Sequence, residues 1–115
     1  MEMVRIDLPL LLEWGLREDY YFIQQDEEII LADADYLEAI VEVLDHETVL
    51  PEKRMILLSA LCVLLYDTLE TEDDSLIQRV AKELKLRENE ITGGGNYYLS
   101  DYITERIFPF LGFTG

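Results

Sequence analysis

Apolar residues recur every three or four positions through most of this sequence, the spacing that places side chains on one face of an α-helix. The first such segment starts near Asp7, a favourable N-cap, and it tolerates Pro9 in its first turn. Its apolar side consists of Leu8, Leu11, Leu12 and Leu16. Gly15 disfavours the second half of this helix. Residues 20–31 fit a loop, a short hairpin or a helical turn equally well.

A second segment combines a cap signal with an amphipathic repeat. Asp35 followed by Glu38 is an aspartate form of the capping box that begins many helices. Apolar residues then follow at helical spacing, namely Leu37, Ile40, Val41 and Leu44. The helix should end near His46, because Pro51 and the residue before it resist a helical continuation.

The third segment has no polar face. Pro51 suits the first turn of a helix that we expect to reach about Leu69. Between Met55 and Tyr66 only Ser59 interrupts the apolar residues. A helix that is apolar on all sides is buried on most of them, so this one is predicted to lie at the centre of the fold. The run is shorter than the roughly 20 residues of a membrane span.

Two further helices complete the predicted fold. Asp73 or Asp74 caps the fourth, whose inner stripe is Leu76, Ile77, Val80, Ala81 and Leu84. Glycines 93–95 break the chain, and Ser100 caps a short fifth helix that should end before Pro109. The apolar tail, residues 108–113, should fold back onto the core. The sequence therefore predicts one all-α domain over residues 1–115, an irregular bundle of about five helices around a buried central one.

Composition narrows the class of protein. Half of the 115 residues are hydrophobic, which excludes a disordered acidic tail, and the length suits a single domain. The formal net charge is −16, which repels nucleic acids and anionic membranes and favours a basic protein as partner. Cys62 is the only cysteine, so no internal disulfide can form, and the N-terminus lacks a signal-peptide pattern. We therefore expect a cytoplasmic protein.

Motifs for metals and phosphates begin but are not completed. His46 and Glu47 start the zinc-protease pattern H-E-x-x-H, yet position 50 is a leucine and there is no second histidine. Asp33 and Asp35 open like a calcium loop that lacks its later ligands. The glycines at 93–95 are not followed by the lysine of a phosphate loop. We expect no metal site and no cofactor.

The sequence also offers few residues that could act as catalytic nucleophiles. Cys62 and Ser59 fall on the helix predicted to be buried, and a buried thiol is inert. A catalytic pair would need His46, which falls at an exposed helix end. Pairs of carboxylates are abundant among 25 acids, and that abundance removes their value as a signal. We therefore predict no catalytic residues and a protein that is not an enzyme.

The distribution of charge is the informative feature. Residues 1–52 carry a net charge of −13, and residues 53–115 carry −3. On the second helix, four acids lie within an arc of about 80°: Asp35, Glu38, Glu42 and Asp45. Like charges three or four positions apart destabilise a helix by a few tenths of a kcal/mol per pair. The stripe therefore suggests that these acids serve a function such as binding. The alternative is a solvated face that keeps the protein soluble.

Other acids and several tyrosines extend this predicted binding surface. Tyrosines beside carboxylates can hold arginine and lysine side chains of a partner. The acids are Glu18, Asp19, Asp26, Glu27 and Glu28. The tyrosines are Tyr20, Tyr21, Tyr97 and Tyr98.

In size, acidity, helical pattern and the Tyr97-Tyr98 pair close to Asp101, the chain resembles the immunity proteins of nuclease colicins. The resemblance implies a bacterial inhibitor that occludes the basic active surface of a toxin. Two alternatives share the same features. One is a nucleic-acid mimic that inhibits a DNA- or RNA-binding protein. The other is a non-catalytic regulatory or scaffold subunit, with a homodimer through the apolar third helix.

Overall fold

The computed structural model describes residues 8–16, 33–46, 48–93 and 101–113. These residues form one 3-10 turn, Ala34–Tyr36, and six α-helices, with no strand in the described ranges. The helices are α1 (Leu8–Leu16), α2 (Leu37–Leu44), α3 (Pro51–Thr68), α4 (Asp74–Leu86), α5 (Glu88–Gly93) and α6 (Asp101–Leu111). The all-α bundle predicted from the hydrophobic pattern is confirmed.

Helix α3 is the centre of the bundle. Pro51 occupies its first turn after Leu50, whose backbone is extended, and the helix ends at Thr68. Every residue from Ile56 to Leu65 is buried. Helices α1, α2, α4 and α6 all contact α3. A helix surrounded in this way needs apolar side chains on every side, which is what the sequence pattern predicted.

The start of α2 differs from the prediction. Asp33, and not Asp35, supplies the cap: its Oδ1 accepts a hydrogen bond of 2.9 Å from the backbone N–H of Asp35. The 3-10 turn follows, and α2 itself begins at Leu37 without a side-chain cap. An aspartate at either position can make the local bond, so the Asp-x-Asp sequence did not distinguish them. The capping-box assignment of Asp35 and Glu38 was wrong.

Helix α4 begins as expected and a short helix follows it. Asp73 is the cap, and its Oδ1 accepts a bond of 3.1 Å from the N–H of Leu76. The inner stripe is buried except for Leu76, which is half-buried. Helix α5 was not predicted, and only Ile91 anchors it in the core. A single apolar anchor in six residues leaves no helical repeat for a sequence to display.

Helix α6 continues through Pro109 to Leu111, so the prediction that it ends before the proline was wrong. Pro109 lies in the last turn, where its ring favours helical φ and where the missing N–H costs one hydrogen bond. Gly112 then takes a φ of 79°. The N–H of Phe113 bonds the Phe108 carbonyl at 2.9 Å, and the N–H of Gly112 bonds that of Pro109 at 3.2 Å. These two bonds form a Schellman motif.

The same motif folds the apolar tail onto the core. The rings of Phe108 and Phe113 meet edge to face, with centroids 5.5 Å apart. Phe113 and Leu111 are both buried. The predicted return of this tail to the core is confirmed.

Helix α1 packs closely on α2 and on the segment that connects α2 to α3. A Cβ at Gly15 would lie 3.3 Å from Cγ1 of Val49, so glycine permits this approach. The Gly15 carbonyl accepts a 3.0 Å bond from the N–H of Leu50. Trp14 is fully buried, and the Nζ of the buried Lys53 lies 4.3 Å from the centre of its ring, a cation–π contact. None of the described helices is both long enough and apolar enough to cross a lipid bilayer.

Candidate protein-binding surface

The four acids of the predicted stripe are all described, and all four are exposed. Asp35 lies in the 3-10 turn, Glu38 and Glu42 lie on α2, and Asp45 follows its last residue. The side chains of Glu38 and Asp45 remain 75% and 69% exposed. One surface of the protein therefore presents these four carboxylates to solvent.

Two of the four acids are bound by Arg79 of α4 and by Arg87, the residue that follows the end of α4. The Nε and Nη2 atoms of Arg79 donate to Oε1 and Oε2 of Glu38, at 3.2 and 2.9 Å. The Nη2 atom of Arg87 donates to Oδ1 of Asp45 at 3.2 Å. The cations that neutralise part of the stripe come from more than forty residues further along the chain.

Glu83 joins the two arginines. Its carboxylate accepts a hydrogen bond of 2.9 Å from Nη1 of Arg87 and another from Nη1 of Arg79. We name these five residues the ion-pair row: Glu38, Arg79, Glu83, Arg87 and Asp45. Burial of Glu83 opposes its ionisation, but the hydrogen bonds from Arg87 and Arg79 outweigh that effect and hold its pKa below the ordinary value.

The ion-pair row bridges two helices that flank α3. Both α2 and α4 pack against α3. Along the row, Glu38 pairs with Arg79 and Asp45 with Arg87, so α2 and α4 run in the same direction. The α4 members are spaced four residues apart and thus share one helix face. That base-acid-base spacing was the signal in the sequence that could have revealed the row.

Asp35 and Glu42 stand apart from the row. In the described part of the chain, neither carboxylate has a hydrogen bond or ion pair. On α2, Glu42 lies about 40–60° around the helix from Asp45 and Glu38, on the side away from α4. These two residues are the unneutralised acids of the stripe.

A second acidic region lies where α3 leads into α4. Its exposed carboxylates are Asp67, Glu70, Glu72, Asp73 and Asp74. Beside it, the rings of Tyr66 and Tyr102 meet edge to face, with centroids 5.4 Å apart, and Tyr102 is 59% exposed. None of these acids was predicted to bind a partner. They provide a matched surface against which the α2 acids can be tested.

Arg54 ties the end of α2 to α5. Its Nη1 donates to the Leu44 carbonyl at 2.6 Å, and its Nη2 donates to both Glu90 oxygens, at 2.8 and 3.0 Å. A guanidinium at this position also complements the negative end of the α2 dipole. The adjoining open cleft, of about 530 Å³, is lined by Leu44, Asp45, Arg54, Leu86, Arg87, Asn89 and Glu90. The guanidinium groups of Arg54 and Arg87, which line this cleft, are both already bound to carboxylates.

The remaining predicted contact residues lie outside the described residues. They are Glu18, Asp19, Tyr20, Tyr21, Asp26, Glu27, Glu28, Tyr97 and Tyr98. The predicted caps Asp7 and Ser100 lie outside them as well.

The groups considered for catalysis or metal binding lie apart from one another. Cys62 is buried in α3, and burial raises the pKa of its thiol to about 12. His46 is exposed just beyond α2. Within the described ranges, no three side chains of the histidine, cysteine, aspartate and glutamate types are placed to hold a metal ion. Comparisons with protein-family models, with curated proteins and with solved structures find no match for this chain.

Proposed function

We propose that this chain is a small inhibitor that binds a basic protein through the exposed face of α2. The observation that carries the proposal is the pair of exposed acids, Asp35 and Glu42, that have no cationic partner in the described residues. They lie beside an ordered row of ion pairs on a chain with a net charge of −16. Such a surface complements a positively charged one.

The ion-pair row contributes by ordering the surface. Each oxygen of Glu38 accepts one bond from Arg79, and a carboxylate oxygen has a second lone pair available. Because Glu38 and Asp45 are still largely exposed, a partner's cation can add to these bonds without displacing the arginines. Side chains held in place before binding lose less conformational entropy when the complex forms.

The mechanism has two steps. The charge of the whole molecule attracts a basic partner over long range and accelerates the encounter. The α2 face then covers the partner's cationic surface, which in a nuclease is the surface that binds the phosphate backbone. An immunity-type role against a nuclease-like toxin, in a bacterial cytoplasm, is the specific form of this proposal. The nine predicted contact residues outside the described ranges belong to it as secondary contacts.

The test neutralises the two free acids. We expect the double variant Asp35→Asn with Glu42→Gln to associate about three- to tenfold more slowly with the partner at low salt, because steering depends on local charge. The matched control is Asp67→Asn with Glu72→Gln, which removes the same charge from the other acidic region and should change the rate less than about twofold. The stripe acids in the ion-pair row are left intact so that the fold is not perturbed.

The partner is first recovered from lysate of the source cell on immobilised protein, and stopped-flow kinetics are then measured over a range of salt concentrations. A basic nuclease supports the immunity-type form, whereas a basic DNA- or RNA-binding protein supports the nucleic-acid-mimic alternative. An acidic partner, or equal association rates for the two double variants, would show that the α2 acids only solvate the surface.

A further inference from the structure

The outer face of α4 carries a small positively charged surface on an otherwise acidic chain. Lys82 and Lys85 are exposed and have no ion pair with any described residue. Between them and the ion-pair row lies Leu86, which at 69% is the most exposed large apolar side chain of the described residues. These residues and Gln78 line a shallow hollow of about 340 Å³. The hollow therefore combines two unpaired cations with one exposed apolar side chain, on a chain that is otherwise strongly acidic.

This lysine surface and Glu42 lie on opposite sides of the ion-pair row. At 100° per residue, Leu86 and Lys82 lie about 20° and 60° around α4 from Arg79, away from the helix's buried stripe. Glu42 lies on the far side of the row, on α2. Across the outer surfaces of α2 and α4 the order is therefore Glu42, the ion-pair row, Leu86 and then the lysines.

That order makes the face complementary to itself. A two-fold axis lying along the ion-pair row exchanges the two sides of the face. It places Glu42 of each copy opposite Lys82 of the other, as in an isologous dimer. Leu86 lies next to the row and therefore close to the axis, where the two leucines of a dimer would be shielded from water. We propose that a second copy of this chain is the occupant of this face, in a dimer that joins the outer surfaces of α2 and α4.

The alternative dimer, through the apolar face of α3, has no exposed surface on which to form. All residues from Ile56 to Leu65 are covered within a single chain. The long-range repulsion between two copies of charge −16 opposes association, although salt near 0.15 M limits it to a range of about 8 Å. We therefore expect a weak and reversible dimer, with a Kd of about 0.1 mM, the range of small transient interfaces.

The dimer has a functional consequence that rests on the proposed function. It covers Glu42, one of the two acids that carry that proposal, so a second copy and a basic partner compete for one face. At high concentration the inhibitor would be mostly dimeric, with its binding face covered. On dilution it would dissociate and expose that face. Self-association is measured without the partner, so its failure and the failure of the proposed inhibitor role are separate results.

The test is a charge exchange, measured by sedimentation velocity at about 0.15 M salt over a concentration range that spans the expected Kd. One variant carries Lys82→Glu, and the other carries Glu42→Lys. Each alone should remain monomeric, because like charges then face each other across the axis. Mixed in equal amounts, they should form a heterodimer, since the exchanged side chains again face opposite charges across the axis. The mixture carries the same total charge as two wild-type copies.

A further variant, Leu86→Ser, tests the apolar contact without changing any charge and should weaken the wild-type dimer about tenfold. Circular dichroism establishes that each variant retains its helices. A wild-type chain that stays monomeric across the concentration range, or a mixture that associates no better than its components, would overturn the proposed dimer.

Discussion

At the scale of single residues, Glu83 shows how a buried carboxylate is accommodated in a small domain. Its side chain is 9% exposed, and two arginines, Arg79 on the same helix and Arg87 just after it, donate to it. An ionised group removed from water needs such partners, because an uncompensated buried charge is strongly destabilising. The arginines in turn extend from Glu83 to the two α2 acids, so one buried residue organises the whole ion-pair row.

This arrangement predicts a pH-dependent contribution to stability. Because the pKa of Glu83 is held low in the folded state, its ionised form stabilises the fold above its unfolded pKa, about 4.3, and this stabilisation is lost as pH falls through the folded value. We expect Glu83→Gln to lower the free energy of unfolding by about 1–3 kcal/mol at pH 7. The difference from wild type should be smaller at about pH 3 than at pH 7, because the stabilisation by the ionised carboxylate declines as pH falls below the unfolded pKa.

Urea unfolding at the two pH values measures both effects. The matched control is Glu88→Gln, at an exposed acid with no ion pair in the described residues, and it should change stability by less than about 0.5 kcal/mol. A difference between Glu83→Gln and wild type that is the same at both pH values would contradict the role assigned to the ionised carboxylate.

At the scale of elements, α3 is the helix on which the others depend. Leu61 lies at its middle and is completely buried, with four helices around α3. A helix so enclosed derives its stability from packing rather than from intrinsic propensity. Because every side of α3 is shielded from water, its sequence is a long run of apolar residues with no polar face.

The prediction for this element compares two leucine truncations. Leu61→Ala should lower the free energy of unfolding by about 2–5 kcal/mol, because it removes buried methyl groups and leaves a cavity. Leu86→Ala, at a leucine exposed on α4, should change the stability of the monomer by less than about 0.5 kcal/mol. Thermal and urea unfolding below the concentration of self-association measure both variants. A loss of less than about 1 kcal/mol for Leu61→Ala would show that α3 is not central.

At the scale of the whole molecule, repulsion among the negative charges destabilises the fold that the hydrophobic core stabilises. A net charge of −16 is confined to a molecule with a radius of gyration of 13.5 Å. Self-repulsion at this density destabilises the compact state, and the ion-pair row relieves only part of it. An excess of acids that costs stability is consistent with a use in binding.

Salt should therefore stabilise this protein. Raising sodium chloride from about 0.02 to 0.5 M shortens the Debye length from roughly 20 to about 4 Å, which screens the repulsion among exposed acids. Screening also weakens the exposed ion pairs, but each of those contributes at most about 1 kcal/mol. We expect the melting temperature to rise by several degrees, measured by circular dichroism. A melting temperature that falls with salt would mean that attractive pairs outweigh the repulsion.

Some features of this fold could be predicted from the sequence because they depend on local or periodic patterns. Pro51 and the apolar run after it predicted the extent of α3 to within one residue of its end. The stripe of α4 and its cap at Asp73 follow from helical spacing and from one short side-chain bond. In the same way, the acids of α2 were predicted to share one exposed surface. Hydrophobic periodicity and capping operate within a few residues of chain, so a sequence displays them directly.

Only the tertiary structure decided which charges are free. The partners of Glu38 and Asp45 are arginines 41 and 42 residues away in the chain, brought close because α2 and α4 both pack on α3. Likewise, Lys53 looks like a surface residue in the sequence and is buried against Trp14 in the fold. The net charge and the helical elements follow from the sequence alone. The division of that charge into neutralised and available carboxylates depends on distances between helices, which periodicity does not encode.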